Sequence, residues 1–128
     1  MKRDMDLVRK IMIAAEDAEG APDLSSLIAE FGENVVRHHS YLINQAGLAE
    51  GICPGGGELD WDGSPPICVI TGLTWAGHDF IVAARNDTLW AKAKAKAITV
   101  IGGMTIDALK AALTLAAKEA IGGDGLDL

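Results

Sequence analysis

The residues from Glu33 to Leu48 constrain this chain more than any other stretch, because they combine a helical repeat with an abrupt stop. Val35, Val36, His39, Leu42, Ile43 and Ala46 recur at the spacing of one helical face, while Arg37, His38, Tyr41, Asn44 and Gln45 fall toward the other. Asn34 is a good N-cap for a helix over 35–46, and Gly47 can close it in the left-handed conformation that glycine adopts without steric cost. A strand candidate, 48–52, follows at once. A second, 67–71, is marked by the β-branched and apolar run Cys68-Val69-Ile70-Thr71. Between them Cys53–Pro66 is rich in Gly and Pro, a loop long for a hairpin.

The rest of the chain reads as helix. Leu7, Val8, Ile11, Met12, Ala14 and Ala15 predict a first helix from Asp4 to Ala18, ended by Gly20-Ala21-Pro22. Asp23 or Ser25 can cap a short helix over 25–31, and Gly32 makes the turn to the next. Thr74 caps a helix over 75–84, and Asn86 or Asp87 caps one over 88–100. Gly102-Gly103 breaks the chain, and Thr105 with Asp107 opens a last helix to Ala120. Trp75 and Phe80 are expected to pack against the hairpin and the first helix, and Trp90 to anchor the fifth. A length of 128 residues with 49% apolar residues suits one aliphatic core. No apolar run approaches the roughly 20 residues of a membrane span. Asp4 and Asp6 interrupt the N-terminus before any long hydrophobic stretch, so the cytoplasm is the expected compartment and no membrane partner is expected.

The order helix, short helix, turn, helix, strand, long loop, strand is that of a winged helix. Val36, His39, Ala46, Gly47 and Leu48 resemble the end of the third helix in small winged-helix repressors, and Leu73-Thr74-x-x-Gly77 resembles the phrase that closes many wings. A wider resemblance rests on Met1–Arg9, on His39 with Ala46-Gly47-Leu48, on Leu73-Thr74-Trp75-Ala76-Gly77-His78-Asp79-Phe80 and on Ala84-Arg85-Asn86-Asp87-Thr88-Leu89-Trp90. Those residues are similar to a family of short bacterial and phage proteins of unknown function. The expected fold is mainly α with a small β-hairpin (α+β), a winged helix-turn-helix with additional C-terminal helices. It occupies one domain over residues 1–122, with 123–128 a flexible tail.

Two functions from different classes follow. In the first, the chain is a transcriptional or phage-related regulator. Its third helix enters the major groove of duplex DNA, Arg37, His38, Tyr41 and Asn44 read bases, and Asn34 or Ser40 touches the backbone. In the second it is a protein-interaction module that uses the acidic wing, 50–66, with Leu59 and Trp61 as contact residues and no DNA. Charge separates them. The net charge is −7, and the segment from Glu50 to Pro66 carries Glu50, Glu58, Asp60 and Asp62 without a Lys or Arg. Carboxylates beside phosphates oppose binding. Lys2, Arg3, Arg9 and Lys10, and Lys92, Lys94 and Lys96, are the basic clusters, and the last three do not share one helical stripe. A stripe of Ile106, Leu109, Ala112, Leu113, Ala116 and Ala120 could pair two copies as a homodimer or pack within the chain.

Enzymatic chemistry is not expected. The Gly55-Gly56-Gly57 run has no Lys and no following helix, so it is no phosphate cradle. His38 and His39 diverge by about 100° on a helix and cannot share a metal. His39 lies on the apolar face and reads as a hydrogen-bonded core residue. His78 has no evident nucleophile beside it. No cofactor or metal is implied. Cys53 and Cys68 form no Cys-x-x-Cys pair and are expected as reduced thiols. One register changes their geometry: if Ile52 pairs with Val69, the two cysteines face each other across the hairpin.

Overall fold

The computed structural model describes residues 2–56, 58–59 and 61–123. It is mainly α with a small β-hairpin, and it divides into two compact units, Met1–Asp79 and Phe80–Leu128.

The first unit opens with α1, Met5–Asp17. Asp4 is extended and its carboxylate accepts from the N–H groups of Asp6 and Leu7, two donors that the first turn leaves without partners. Met5, Leu7, Val8, Ile11, Met12 and Ala15 form the buried face. The helix stops at Ala18, before the expected glycine signal. Glu16, Asp17 and Glu19 crowd carboxylates at the negative end of the helix dipole, with no basic residue in the last turn to offset them. In α2, Ser25–Phe31, neither expected capping residue caps the helix. Asp23 instead accepts from both the N–H and the hydroxyl of Ser25, so the two satisfy each other.

Gly32 (φ 94°, ψ 150°) both ends α2 and begins α3, Glu33–Gln45. This single left-handed residue turns the chain so sharply that α3 starts ahead of Asn34, which lies in the first turn and is not the cap. Gly47 (φ 76°) takes the expected left-handed conformation at the far end, and the Leu48 N–H reaches back to Ile43.

The hairpin pairs β1, Ala49–Ile52, with β2, Val69–Leu73, antiparallel. Its register joins Ala49 to Leu73, Glu50 to Gly72, Gly51 to Ile70 and Ile52 to Val69, with an irregularity between Glu50 and Gly51. The second strand lies two residues beyond its expected position. Consecutive prolines at 65 and 66 supply no ladder donors, and pairing begins only after Cys68.

Thr74 caps α4, Trp75–Ala84, as expected: its hydroxyl accepts from the Gly77 N–H and donates to the Gly47 carbonyl. A side chain at Gly77 would collide with the Leu48 carbonyl, so that face of α4 lies directly on the chain leaving α3. Trp75 sits about 200° away around the helix and is 85% exposed, a correction to its expected core position.

The second unit holds the rest of α4, then α5, Asp87–Lys96, a π-helical turn over Ala97–Ile101, and α6, Ile106–Gly123. Asn86 caps α5 through the Leu89 N–H. Trp90 is buried edge-on against Phe80, centroids 6.1 Å apart. The expected helix over 88–100 widens into the π turn, where the Ala97 carbonyl accepts from both Gly102 and Gly103. Thr105 caps α6, which packs on α5. Leu109, Ala112, Leu113 and Ala116 are buried, so the stripe considered for a homodimer is taken up within the unit. The Ala120 side chain lies outside the described residues. The same holds for 124–128 of the expected tail, while Gly123 is the last residue of α6.

Candidate interaction surface of α3 and the hairpin loop

The two faces of α3 have different fates. On the inner face His39 is fully buried; its Nε2 accepts from the Asp4 N–H at 2.8 Å, which puts the proton on Nδ1, and Nδ1 donates to the Val35 carbonyl at 2.7 Å. It is the hydrogen-bonded core histidine expected, and it ties the start of α1 to α3. Ser40, a candidate backbone contact, is also on this inner side and only 3% exposed.

On the outer face the loop folds back onto the helix. Arg37, half-buried, donates from Nη2 to the carbonyl of Pro65, itself buried. Asn34 is exposed and His38 half-buried; both line a recess with Leu59, Asp62, Gly63, Ser64 and Pro65. Half-buried Tyr41 and Asn44 line a second recess with Glu50, Gly51 and Cys53. Asn44 donates to the Ser40 carbonyl at 2.9 Å, and a side chain at Gly51 would fall 2.5 Å from Asn44 Oδ1 and from the Val69 carbonyl. Asn34 and His38, expected to touch DNA, therefore share a recess with Leu59, expected to meet a protein. Arg37 ties the loop to α3, while Asn44 is bonded within its own helix.

The loop owes its shape to a turn and a cross-link. Asp62 accepts from the Ser64 N–H at 3.0 Å, an Asx turn with Gly63 at its centre in the left-handed conformation (φ 82°). The Ser64 hydroxyl and N–H, with a smaller contribution from Arg37, hold the Asp62 carboxyl below its ordinary value, so it is anionic at neutral pH. Desolvation, with His39 beside it, pulls His38 below its ordinary value, so it offers no permanent cation there. Glu50, Glu58 and Asp62 are exposed; Asp60 lies outside the described residues.

Cys53 and Cys68 are joined by a disulfide, with Cα atoms 4.1 Å apart across 15 residues of sequence separation. This corrects the expectation of reduced thiols. The reason is the register: Ile52 does pair with Val69, so the next residues outward face each other.

In the same loop Leu59 is 68% exposed and Trp61 98%. Asp62 was read only as a charge of the acidic wing, and its turn with Ser64 and the part played by Pro65 escaped the sequence reading. The Asp-Gly-Ser-Pro run was a legible signal for that turn, whereas a carbonyl acceptor such as that of Pro65 leaves no mark in sequence.

Elsewhere several charges are locally engaged. Lys10 lies 3.8 Å from Glu30 and over the Phe31 ring, and His78 Nδ1 lies 3.5 Å from Glu16. Lys96 meets Glu119 at 2.8 Å, and Lys94 lies over Trp90. Among the described residues no group of His, Cys, Asp and Glu could hold a metal ion, and no helix is long and apolar enough to cross a membrane.

Comparison with known proteins places the chain in a family. Residues 2–104 match the family described as "Hypothetical protein (DUF2513)", a match that ends before α6. An "Uncharacterized protein" of Haemophilus influenzae is 31% identical over 115 residues, covering 86% of this chain and 90% of the relative. No solved structure matches. The chain belongs to the DUF2513 family.

Proposed function

We propose that this DUF2513 protein is a non-enzymatic protein-interaction module of winged-helix type. Its hairpin loop inserts Trp61, with Leu59 beside it, into an apolar pocket of a partner protein whose rim is basic. The observation that carries the reading is Trp61, 98% exposed on a loop whose neighbours Glu58 and Asp62 are exposed carboxylates. Aromatic side chains in fully desolvated pockets dominate interface energy. The carboxylates on either side supply complementarity to a cationic rim and speed encounter with it.

The rival reading, a regulator gripping duplex DNA through α3, has little to support it. Arg37 is bonded to the loop, Asn44 donates within its own helix, Ser40 is buried and His38 is held toward its neutral form. The loop that would lie near phosphates is acidic.

The test places a photo-cross-linking amino acid at position 61, and in a control at position 82, where Val82 is 75% exposed in the second unit. One recurrent protein captured from position 61 alone, with cross-linked peptides rich in Lys or Arg, is the expected result. Equal capture from both positions removes the proposal. So does low-salt binding of random-sequence duplex DNA that Arg37→Ala weakens, an outcome that favours the DNA reading.

A further inference from the structure

We infer that the Cys53–Cys68 disulfide is a thiol–disulfide exchange site, reduced by a dithiol, that decides whether the loop arm 61–66 stays docked on α3. The bond spans the loop end of a hairpin with strands of only four and five residues. A two-stranded ladder of that size is marginal on its own. The opposite end has further ties, since the Thr74 N–H donates to Leu48 and the Thr74 hydroxyl to Gly47. Breaking the cross-link therefore frays the ladder from Ile52 and Val69, while Ala49 and Leu73 stay paired. The arm leaves directly from the frayed end, through Ile67 and Cys68, and its Pro65 carbonyl is what Arg37 holds.

Exposure gives the exchange a direction. Cys53 is half-exposed and lines the open recess beside Tyr41, Asn44 and Gly56, whereas Cys68 is 8% exposed. An incoming thiolate attacks the Cys53 sulfur, the bond to Cys68 breaks, and the electron pair leaves on the Cys68 sulfur, which takes up a proton. The reductant's second thiol then attacks its own sulfur in the mixed disulfide, releasing Cys53 as a thiol and leaving the reductant as a disulfide. Two electrons and two protons pass to the protein. Such a site responds to the difference between a reducing and an oxidising environment, and it does not depend on which partner the exposed loop meets.

Amide hydrogen exchange on the full chain, oxidised and then reduced with a phosphine, tests this. Reduction is expected to speed exchange at least 10-fold across 51–52 and 69–70, with less than a twofold change at 49, 73 and 74. Arg37→Ala is expected to speed exchange at 61–64 in the oxidised protein and to add nothing in the reduced one. With limiting glutathione and an acid quench, the mixed disulfide is expected on Cys53 in at least 10-fold excess over Cys68. The inference is overturned by an unchanged exchange pattern, by a mixed disulfide mainly on Cys68, or by acceleration throughout α1 and α3. The last would make the bond a staple of the whole unit and no local control.

Discussion

His38 and His39 are neighbours in sequence, yet they belong to opposite worlds, and the contrast defines α3. His39 faces a finished interior, with both ring nitrogens bonded and Ser40, Val36 and Ile43 buried around it. His38 faces a surface made by a loop that has folded back, where a backbone carbonyl, an Asx turn and a disulfide hold the geometry. The inner face follows from the repeat of apolar residues. The outer face depends on a segment that could have lain elsewhere. The inner side should therefore govern stability, and the outer side should govern access and recognition.

Substitutions can break that contrast, here in order of their expected effect on stability. His39→Leu leaves the Asp4 N–H without its acceptor and should cost about 2 kcal/mol in urea unfolding. A cost below about 0.5 kcal/mol would mean that the bridge between α1 and α3 contributes little. Gly51→Ala drives a methyl group into Asn44 Oδ1 and the backbone of Val69. The side chain of Asn44 can turn away but the Val69 carbonyl cannot, so about 1–2 kcal/mol is expected, as for other overpacked sites. Chemical-shift changes should centre on Asn44 and the hairpin; changes centred on α1 would contradict the division.

Arg37→Ala removes a charge-assisted donor to Pro65 and should cost about 1 kcal/mol. Its signature is selective: loop exchange rises while α1 keeps its protection. Acidification probes the same face. Desolvation lowers the folded value of His38 from 6.5, so the folded state favours the neutral ring. Below about pH 6.5 the unfolded chain binds the proton first, and this contribution is lost as pH falls through the folded value. His38→Gln should flatten that part of the stability–pH curve, by less than the Arg37 effect.

Legibility followed the same division. The helices were readable because apolar spacing and the caps Thr74, Asn86 and Thr105 are local signals. The start of α3 was misplaced because Gly32 serves two helices at once, and β2 slipped because prolines 65 and 66 delay pairing. Trp75 looked like core by composition, but Gly77 takes the inward position on α4. Of the candidate surface, the outward side of α3 was legible at Arg37, His38, Tyr41 and Asn44 but not at Ser40, which is buried, and the register that would bring the cysteines together was legible too. The docking of the loop was not, because Arg37 finds a carbonyl 28 residues away that any residue could have supplied.

Trp61→Ala is expected to change stability least, within about 0.5 kcal/mol, because a side chain 98% exposed has almost no packing to lose. The same substitution should weaken partner binding by at least about 2 kcal/mol, roughly 30-fold in Kd. Such a split separates a recognition residue from a structural one. If Trp61→Ala instead destabilises the fold by more than about 1 kcal/mol, the ring packs in solution and the loop presents no anchor. If stability and binding both stay unchanged, the acidic loop is a solvated surface and recognition lies elsewhere. The hairpin offers the next place to look, since Ile52, Ile67 and Val69 are all exposed beside the disulfide. Ile52 and Val69 are cross-strand partners, so their side chains share a face. Serine at both positions would remove that apolar pair while leaving Trp61 in place.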